Sequence, residues 1–103
     1  MLITNFIKKD LLNRAINLSH LGVNELAWKY EDALHVLDEL VNKNVIIVGG
    51  DVLEKQENTI DYTYDNWYYN GNNLQDSFKQ AKEYITNYCL RNGVNYYFVI
   101  VIK

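Results

Sequence analysis

Two neighbouring segments decide the fold: Val45-Ile46-Ile47-Val48-Gly49-Gly50-Asp51-Val52-Leu53 and Thr59-Ile60-Asp61-Tyr62-Thr63-Tyr64-Asp65-Asn66-Trp67-Tyr68-Tyr69. The first begins with four apolar β-branched residues, a run too short for a helix and typical of a buried strand. The second alternates between apolar and polar residues, so its side chains face opposite sides of a sheet in turn. Glu57-Asn58 lies between the segments and predicts a turn, because Asn tolerates the left-handed conformation. We therefore expect a β-hairpin.

Two glycines and an acid follow the apolar run of the first segment, where we expect the buried part of that strand to end. Gly49-Gly50 predicts a bulge, or a close approach of the backbone to a neighbour that a side chain would prevent. Asp51 follows directly, and residues 65–69 at the hairpin exit are rich in acids and aromatic rings. We expect Gly49, Gly50 and Asn66 to serve the fold, and we place the function at this end of the hairpin.

The composition is that of one soluble globular domain. The chain has 103 residues, of which 49% are hydrophobic and 22% charged, and it contains no Pro. This length supports a single core, so we expect one α+β domain over residues 1–103. Cys89 is the single cysteine and permits no internal disulfide, which favours a reducing cytoplasm. The first ten residues lack the apolar run of a signal peptide or membrane anchor.

The remainder of the chain predicts helices on both sides of the hairpin. Apolar residues at helical spacing indicate three helices, over residues 5–19, 30–42 and 74–92. Asn73 is placed to cap the third helix and Gly93 to end it. Residues 25–28 are expected to form an extended connection in which Trp28 covers the edge of the core. The apolar run after Val94 predicts a buried C-terminal strand.

These elements predict an α+β fold with two N-terminal helices, the hairpin, a third helix and a C-terminal strand. The third helix connects the second and third strands, which are expected to run parallel through a right-handed crossover. Placing the last strand beyond the first gives a three-stranded mixed sheet in the order 2-1-3, packed against the helices.

Charge is concentrated in the middle of the chain. The formal net charge is −3, but residues 25–65 contain ten acids against three lysines. This excess disfavours nucleic-acid binding, because phosphate backbones would be repelled. It suits the steering of a basic protein partner, but for most of these acids an ordinary solvated surface is the preferred explanation.

Sequence patterns for cofactor or metal chemistry are lacking, so we expect neither a cofactor nor a metal site. Gly49-Gly50 lacks the spacing of a phosphate-binding loop, and no zinc or calcium pattern occurs. The remaining catalytic hypothesis is a carboxylate pair, Asp51 with Asp61 or Asp65, in an acid–base enzyme or a small ligand-binding protein.

The hairpin exit is also a candidate binding surface, because five aromatic residues lie within positions 62–69. Tyr and Trp dominate interface hot spots, although these rings could equally belong to the core. The candidate partner contacts are Asp51, Glu54, Asp61, Asp65, Trp67, Tyr68 and Tyr69. A third hypothesis is an oligomerisation module that pairs through an edge strand.

Four short sequence motifs, taken together with their order along the chain, resemble the immunity protein 40 family of bacterial polymorphic toxin systems. They are the segments 30–34 (YEDAL), 48–52 (VGGDV), 63–69 (TYDNWYY) and 81–88 (AKEYITNY). The resemblance covers roughly residues 24–102. It implies a small cytoplasmic α+β protein, not an enzyme, that binds and neutralises a cognate toxin domain. Through Asp51, Trp67 and their neighbours, an acidic aromatic face would then block the toxin, without nucleic-acid or membrane partners.

Overall fold

The computed structural model describes residues 2–103, which form an α+β fold of three α-helices and five strands. In chain order the elements are α1 (Lys9–Arg14), β1 (Ile16–Asn17), β2 (Leu26–Lys29), α2 (Tyr30–Leu40), β3 (Ile47–Gln56), β4 (Thr59–Tyr68), α3 (Leu74–Asn92) and β5 (Tyr96–Ile102). Two short 3₁₀ turns cover Ile3–Asn5 and Ser19–Leu21. Within this described part, no helix is both long enough and apolar enough to cross a membrane.

The sheet differs from the predicted one. Its strand order is β1-β2-β5-β3-β4, and every neighbouring pair is antiparallel. The three-stranded mixed sheet is therefore wrong. Within this larger sheet, the hairpin strands and the last strand keep the predicted order, with β3 between β4 and β5. The helix α3 connects β4 to β5, which run in the same direction but are each hydrogen-bonded antiparallel to β3, so the sheet is not mixed.

The N-terminal region accounts for the two additional strands. The predicted helix over residues 5–19 is wrong, because α1 ends at Arg14 and Ala15 is already extended, with φ −72° and ψ 153°. Strand β1 then pairs with β2, which in turn pairs with β5 through Trp28 and Phe98. Trp28 does not cover the core edge as predicted. It is fully buried, and its Nε1 donates to the Leu11 carbonyl oxygen at 2.7 Å.

The other predicted elements agree with the structure. The hairpin of β3 and β4 turns at Glu57-Asn58, and α2 ends two residues before its predicted end. The bounds of α3 are the predicted ones, and Asn73 Oδ1 accepts the Asp76 backbone N–H at 2.9 Å. This bond satisfies one of the free N–H groups at the start of a helix.

The two faces of the sheet are covered unequally. One face packs on α1, α2 and α3 and contributes Val52, Trp67, Phe98 and Ile100 to the main core. We call the opposite side the open face. There a smaller cluster is covered by residues 16–23; its buried members are Leu18, Ala27, Leu53, Ile60 and Val99. This short segment leaves Tyr68 and Val101 exposed on the same face.

Candidate functional site

The Gly-Gly pair creates the space that the Trp67 ring occupies. Gly50 is paired with Trp67 across β3 and β4, and a Cβ atom on Gly50 would clash with this ring and with the Val99 carbonyl oxygen. Gly49 has φ +150°, and a Cβ atom there would clash with the Trp67 carbonyl oxygen. The indole therefore lies flat on the strand, stacked on Tyr84 of α3 with ring centroids 4.9 Å apart.

Trp67 is consequently a core residue and does not form part of the surface. Its exposed fraction is 7%, and its Nε1 has no hydrogen-bond partner among residues 2–103. Its neighbour Tyr68 points to the other side of the sheet and is 70% exposed. The two side chains predicted to act together therefore lie on opposite faces.

A bulge in β4 shapes the hairpin exit. Tyr62 pairs with Leu53 and Asn66 with Asp51, so residues 63–65 are opposite Val52 alone. The Thr63 hydroxyl donates to the Val52 carbonyl oxygen at 2.9 Å, which satisfies a ladder acceptor that the bulge leaves free. Tyr64 adopts φ +68° at this point and is 85% exposed.

On the helix side, two acids of the predicted surface are bound to tyrosines. The Tyr88 hydroxyl of α3 donates to Asp65 Oδ2 at 2.8 Å, and the Tyr96 hydroxyl of β5 donates to Glu54 Oε2 at 3.3 Å. Burial, followed by the bond to Asp65, raises the pKa of Tyr88 to about 12. These contacts connect the hairpin to α3 and β5.

On the open face, Asp51 and Glu25 lie on either side of β5. Asp51 is the cross-strand partner of Val99, and Glu25 lines the same depression as Val99 from the β2 side. Burial raises the pKa of Asp51, and the pKa of Glu25 is raised by burial and then by the charge of Asp51. The pKa of Tyr62 is also raised, by burial and by both carboxylates. The only ion pair within residues 2–103 joins Arg14 to Asp32 at 3.0 Å and involves neither of these acids.

Asp51 and Asp65 do not converge on one site. Asn66 is the cross-strand partner of Asp51 and shares its face, so the preceding Asp65 points to the other side, where it binds Tyr88. In the described part of the chain, no group of three or more His, Cys, Asp or Glu side chains is placed to hold a metal ion.

A shallow groove crosses the open face near the end of β5. It consists of two depressions, of about 420 and about 260 Å³, that share Val101. The larger one is lined by Glu25, Asn17 and Asn24, and also by residues 2–4 and 99–102, so it reaches from the open face around the end of β5. The smaller one is lined by Asp51 with residues 66–68. We call this surface the open-face groove.

The remaining predicted contacts lie outside the open-face groove. Asp61 is exposed near the hairpin turn. Tyr69 is partly buried, and its hydroxyl oxygen accepts the Asn73 backbone N–H at 3.1 Å. Sequence reasoning missed Glu25 and Val101, because nothing in their local sequence indicates that β2, β5 and β3 bring them beside Asp51.

Comparison with known families identifies one match. The family described as Immunity protein 40 matches residues 17–102, which is most of the chain and includes β2 to β5 with α2 and α3. Searches of curated proteins and of solved structures found no match.

Proposed function

We infer the function from one fact: the chain belongs to the immunity protein 40 family. Membership implies an immunity protein, whose partner is a toxin protein. We propose that this chain acts in the bacterial cytoplasm, where it binds a cognate toxin domain and neutralises it without catalysis of its own. The family match is the observation that carries this proposal.

Occlusion is the proposed mechanism. An acidic, aromatic-rich surface at the hairpin would cover the toxin's catalytic or substrate cleft. The exposure of Tyr64 and Tyr68, at 85% and 70%, supports this mechanism, because exposed tyrosines offer large rigid contact area with a polar tip. The acidic middle of the chain would steer a basic partner towards this surface.

The acid–base alternative has less support. It paired Asp51 with Asp61 or Asp65, whereas both of these acids point to the side of the sheet opposite Asp51. The space beside Gly50 on the helix side is filled by the Trp67 ring. A binding role uses the same residues without requiring an enclosed site.

The test is co-purification, at low salt, with the toxin domain encoded by the adjacent gene, together with an assay of that toxin's activity. We expect a stable complex and loss of toxin activity. Absence of a complex would overturn the proposal. Sedimentation of the free protein tests the oligomerisation hypothesis in the same preparation.

A matched pair of variants locates the surface. Tyr68→Ala removes an exposed ring at the hairpin, whereas Leu90→Ala removes an apolar side chain of α3 that is 78% exposed. We expect Tyr68→Ala to weaken the complex and Leu90→Ala to leave it unchanged. The reverse result would place the contact on α3.

A further inference from the structure

We propose that the open-face groove is the docking surface for the toxin, and that it receives a basic segment whose arginine or lysine lies between Glu25 and Asp51. This inference rests on the proposed function and adds to it the face of the sheet and the chemistry of the partner. It differs from the sequence-based surface, because it keeps Asp51 and Tyr68, adds Glu25, and leaves out the helix-side acids Glu54 and Asp65.

Charge complementarity is the first argument. Glu25 and Asp51 are both partly buried and flank Val99 of β5 from its two sides, and no Lys or Arg lines either depression of the groove. The charge of Asp51 disfavours the ionisation of Glu25, and no Lys or Arg of the groove offsets this repulsion. A guanidinium or ammonium group placed between them would remove this repulsion and form charge-assisted hydrogen bonds.

The aromatic residues around the carboxylates suit the same partner. The rings of Tyr62 and Tyr64 are 6.2 Å apart, and Tyr62 is close enough to Glu25 and Asp51 for their charges to raise its pKa. Tyr68 lines the other end of the groove. Guanidinium groups pack on aromatic faces through cation–π contacts, so arginine fits this setting better than an apolar residue does.

The shape of the groove favours a protein segment over a small molecule. Small-molecule sites enclose most of their ligand, whereas the two depressions here are shallow and follow the surface past Val101. A loop or strand of a partner protein can lie along both depressions and place one basic side chain at the acids.

Charge also argues against a second copy of this chain in the groove, and against toxin binding on the helix side of the sheet. A second copy of this chain would bring Glu25 and Asp51 against the same acids, because a two-fold interface contacts the same patch on both subunits. On the helix side, Asp65 and Glu54 already accept hydrogen bonds from Tyr88 and Tyr96 and are less available to a partner.

The test measures the Kd of the full-length protein for the adjacent-gene toxin domain. Asp51→Asn and Glu25→Gln remove one charge each with almost no change of shape. Asp38→Asn is the matched control, because Asp38 is exposed on α2 and carries the same charge. We expect each groove variant to raise the Kd about tenfold or more and the control to change it less than about twofold.

A thermal melt of each variant separates binding from folding. Burial raises the pKa of Asp51, so its charged form destabilises the fold at neutral pH, and Asp51→Asn should melt no lower than the wild type. Weaker binding with an unchanged or higher Tm supports the inference. A lower Tm for both groove variants would overturn it, because the acids would then serve the fold.

The remaining outcomes separate this inference from the proposed function. If the wild type binds the toxin and both groove variants bind equally well, the groove assignment is wrong and the function stands. If the wild type forms no complex, both fail. A concentration-dependent dimer that Asp51→Asn strengthens would identify a second copy as the occupant and overturn the assignment.

Discussion

Gly50 and Trp67 belong to two sequence motifs, VGGDV at 48–52 and TYDNWYY at 63–69, that are separated along the chain but pair with each other in the sheet. The pairs Gly50–Trp67 and Asp51–Asn66 are neighbours in the ladder of β3 and β4. Since the indole occupies the space above Gly50, the glycine and the tryptophan require each other. The sequence predicted a close approach at the glycines, but it did not identify the approaching residue.

Gly50→Ala tests this relation. The new methyl group would meet both the Val99 carbonyl oxygen and the Trp67 ring, so the strand must shift and the ring must move. We expect a loss of about 3 kcal/mol in the free energy of unfolding, at the upper end for an overpacked core. Chemical denaturation measures this loss.

Gly22→Ala is the control. Gly22 has φ +80°, and a Cβ atom added there would have no atom within 4 Å. Gly22→Ala should therefore lower the free energy of unfolding only by the cost of holding alanine in a left-handed conformation, about 1 kcal/mol. Equal losses in the two variants would contradict the packing role of Gly50.

Tyr88 is expected to make the free energy of unfolding depend on pH in the alkaline range. Its pKa of about 12 in the folded state exceeds the ordinary value of about 10. The folded state therefore favours the neutral phenol. The resulting contribution to the free energy of unfolding is fully present below pH ~10 and is lost as the pH rises towards ~12. Tyr88→Phe should remove this part of the pH dependence.

The same variant should lower the free energy of unfolding at neutral pH by about 1 kcal/mol, because Asp65 loses a hydrogen bond but remains exposed to water. Spectrophotometric titration of tyrosinate, with denaturation at each pH, gives both quantities. An unchanged alkaline profile in Tyr88→Phe would show that another tyrosine is responsible.

At the scale of elements, α3 was predictable because its boundaries are set locally. Asn73 caps its start, Asp76 lies in its first turn and Gly93 follows its last residue. Each of these signals acts within one turn of the helix and does not depend on the fold.

Asn73→Ala should therefore cost about 1 kcal/mol of stability, because the Asp76 N–H loses its acceptor. Asn72→Ala is the matched control, since Asn72 is an exposed residue of the same loop outside the helix. A denaturant series on both variants measures the difference. Equal stability of the two variants would mean that water replaces the cap without cost.

Strands β1 and β2 could not be predicted because their stability is not local. Strand β1 has two residues and β2 has four, and neither carries a hydrophobic period. Strand β2 forms because Trp28 pairs with Phe98 of β5, about seventy residues away, and fills the core. This missed strand also explains the missed site residue, since Glu25 precedes β2 directly.

At the scale of the whole molecule, the side on which the helices pack decides which aromatic residues can bind a partner. The sequence groups Trp67 with Tyr68 and Tyr69, and alternation alone sends neighbours to opposite faces. Only the packing of α3 determines that Trp67 is buried and Tyr68 is exposed. The sequence therefore could not show which of these rings is exposed.

The charge distribution of the molecule predicts how salt acts on the toxin complex. Residues 25–65 hold ten acids and three lysines, and this field would attract the proposed basic partner over distances comparable to the Debye length, about 10 Å at 0.1 M salt. Raising the salt should therefore slow association by about tenfold or more and change dissociation much less. Surface plasmon resonance at several salt concentrations separates the two rates.

Two variants with the same net charge distinguish long-range electrostatic attraction of the toxin from direct contact with it. Asp38→Asn weakens only the long-range field, so it should slow association slightly and leave dissociation unchanged. Asp51→Asn removes a partly buried carboxylate that the proposed docking places against the toxin, so it should mainly speed dissociation, and it should do so at every salt concentration. If both variants change only the association rate, the acids of this protein attract the toxin without contacting it, and the open-face groove is not where the toxin binds.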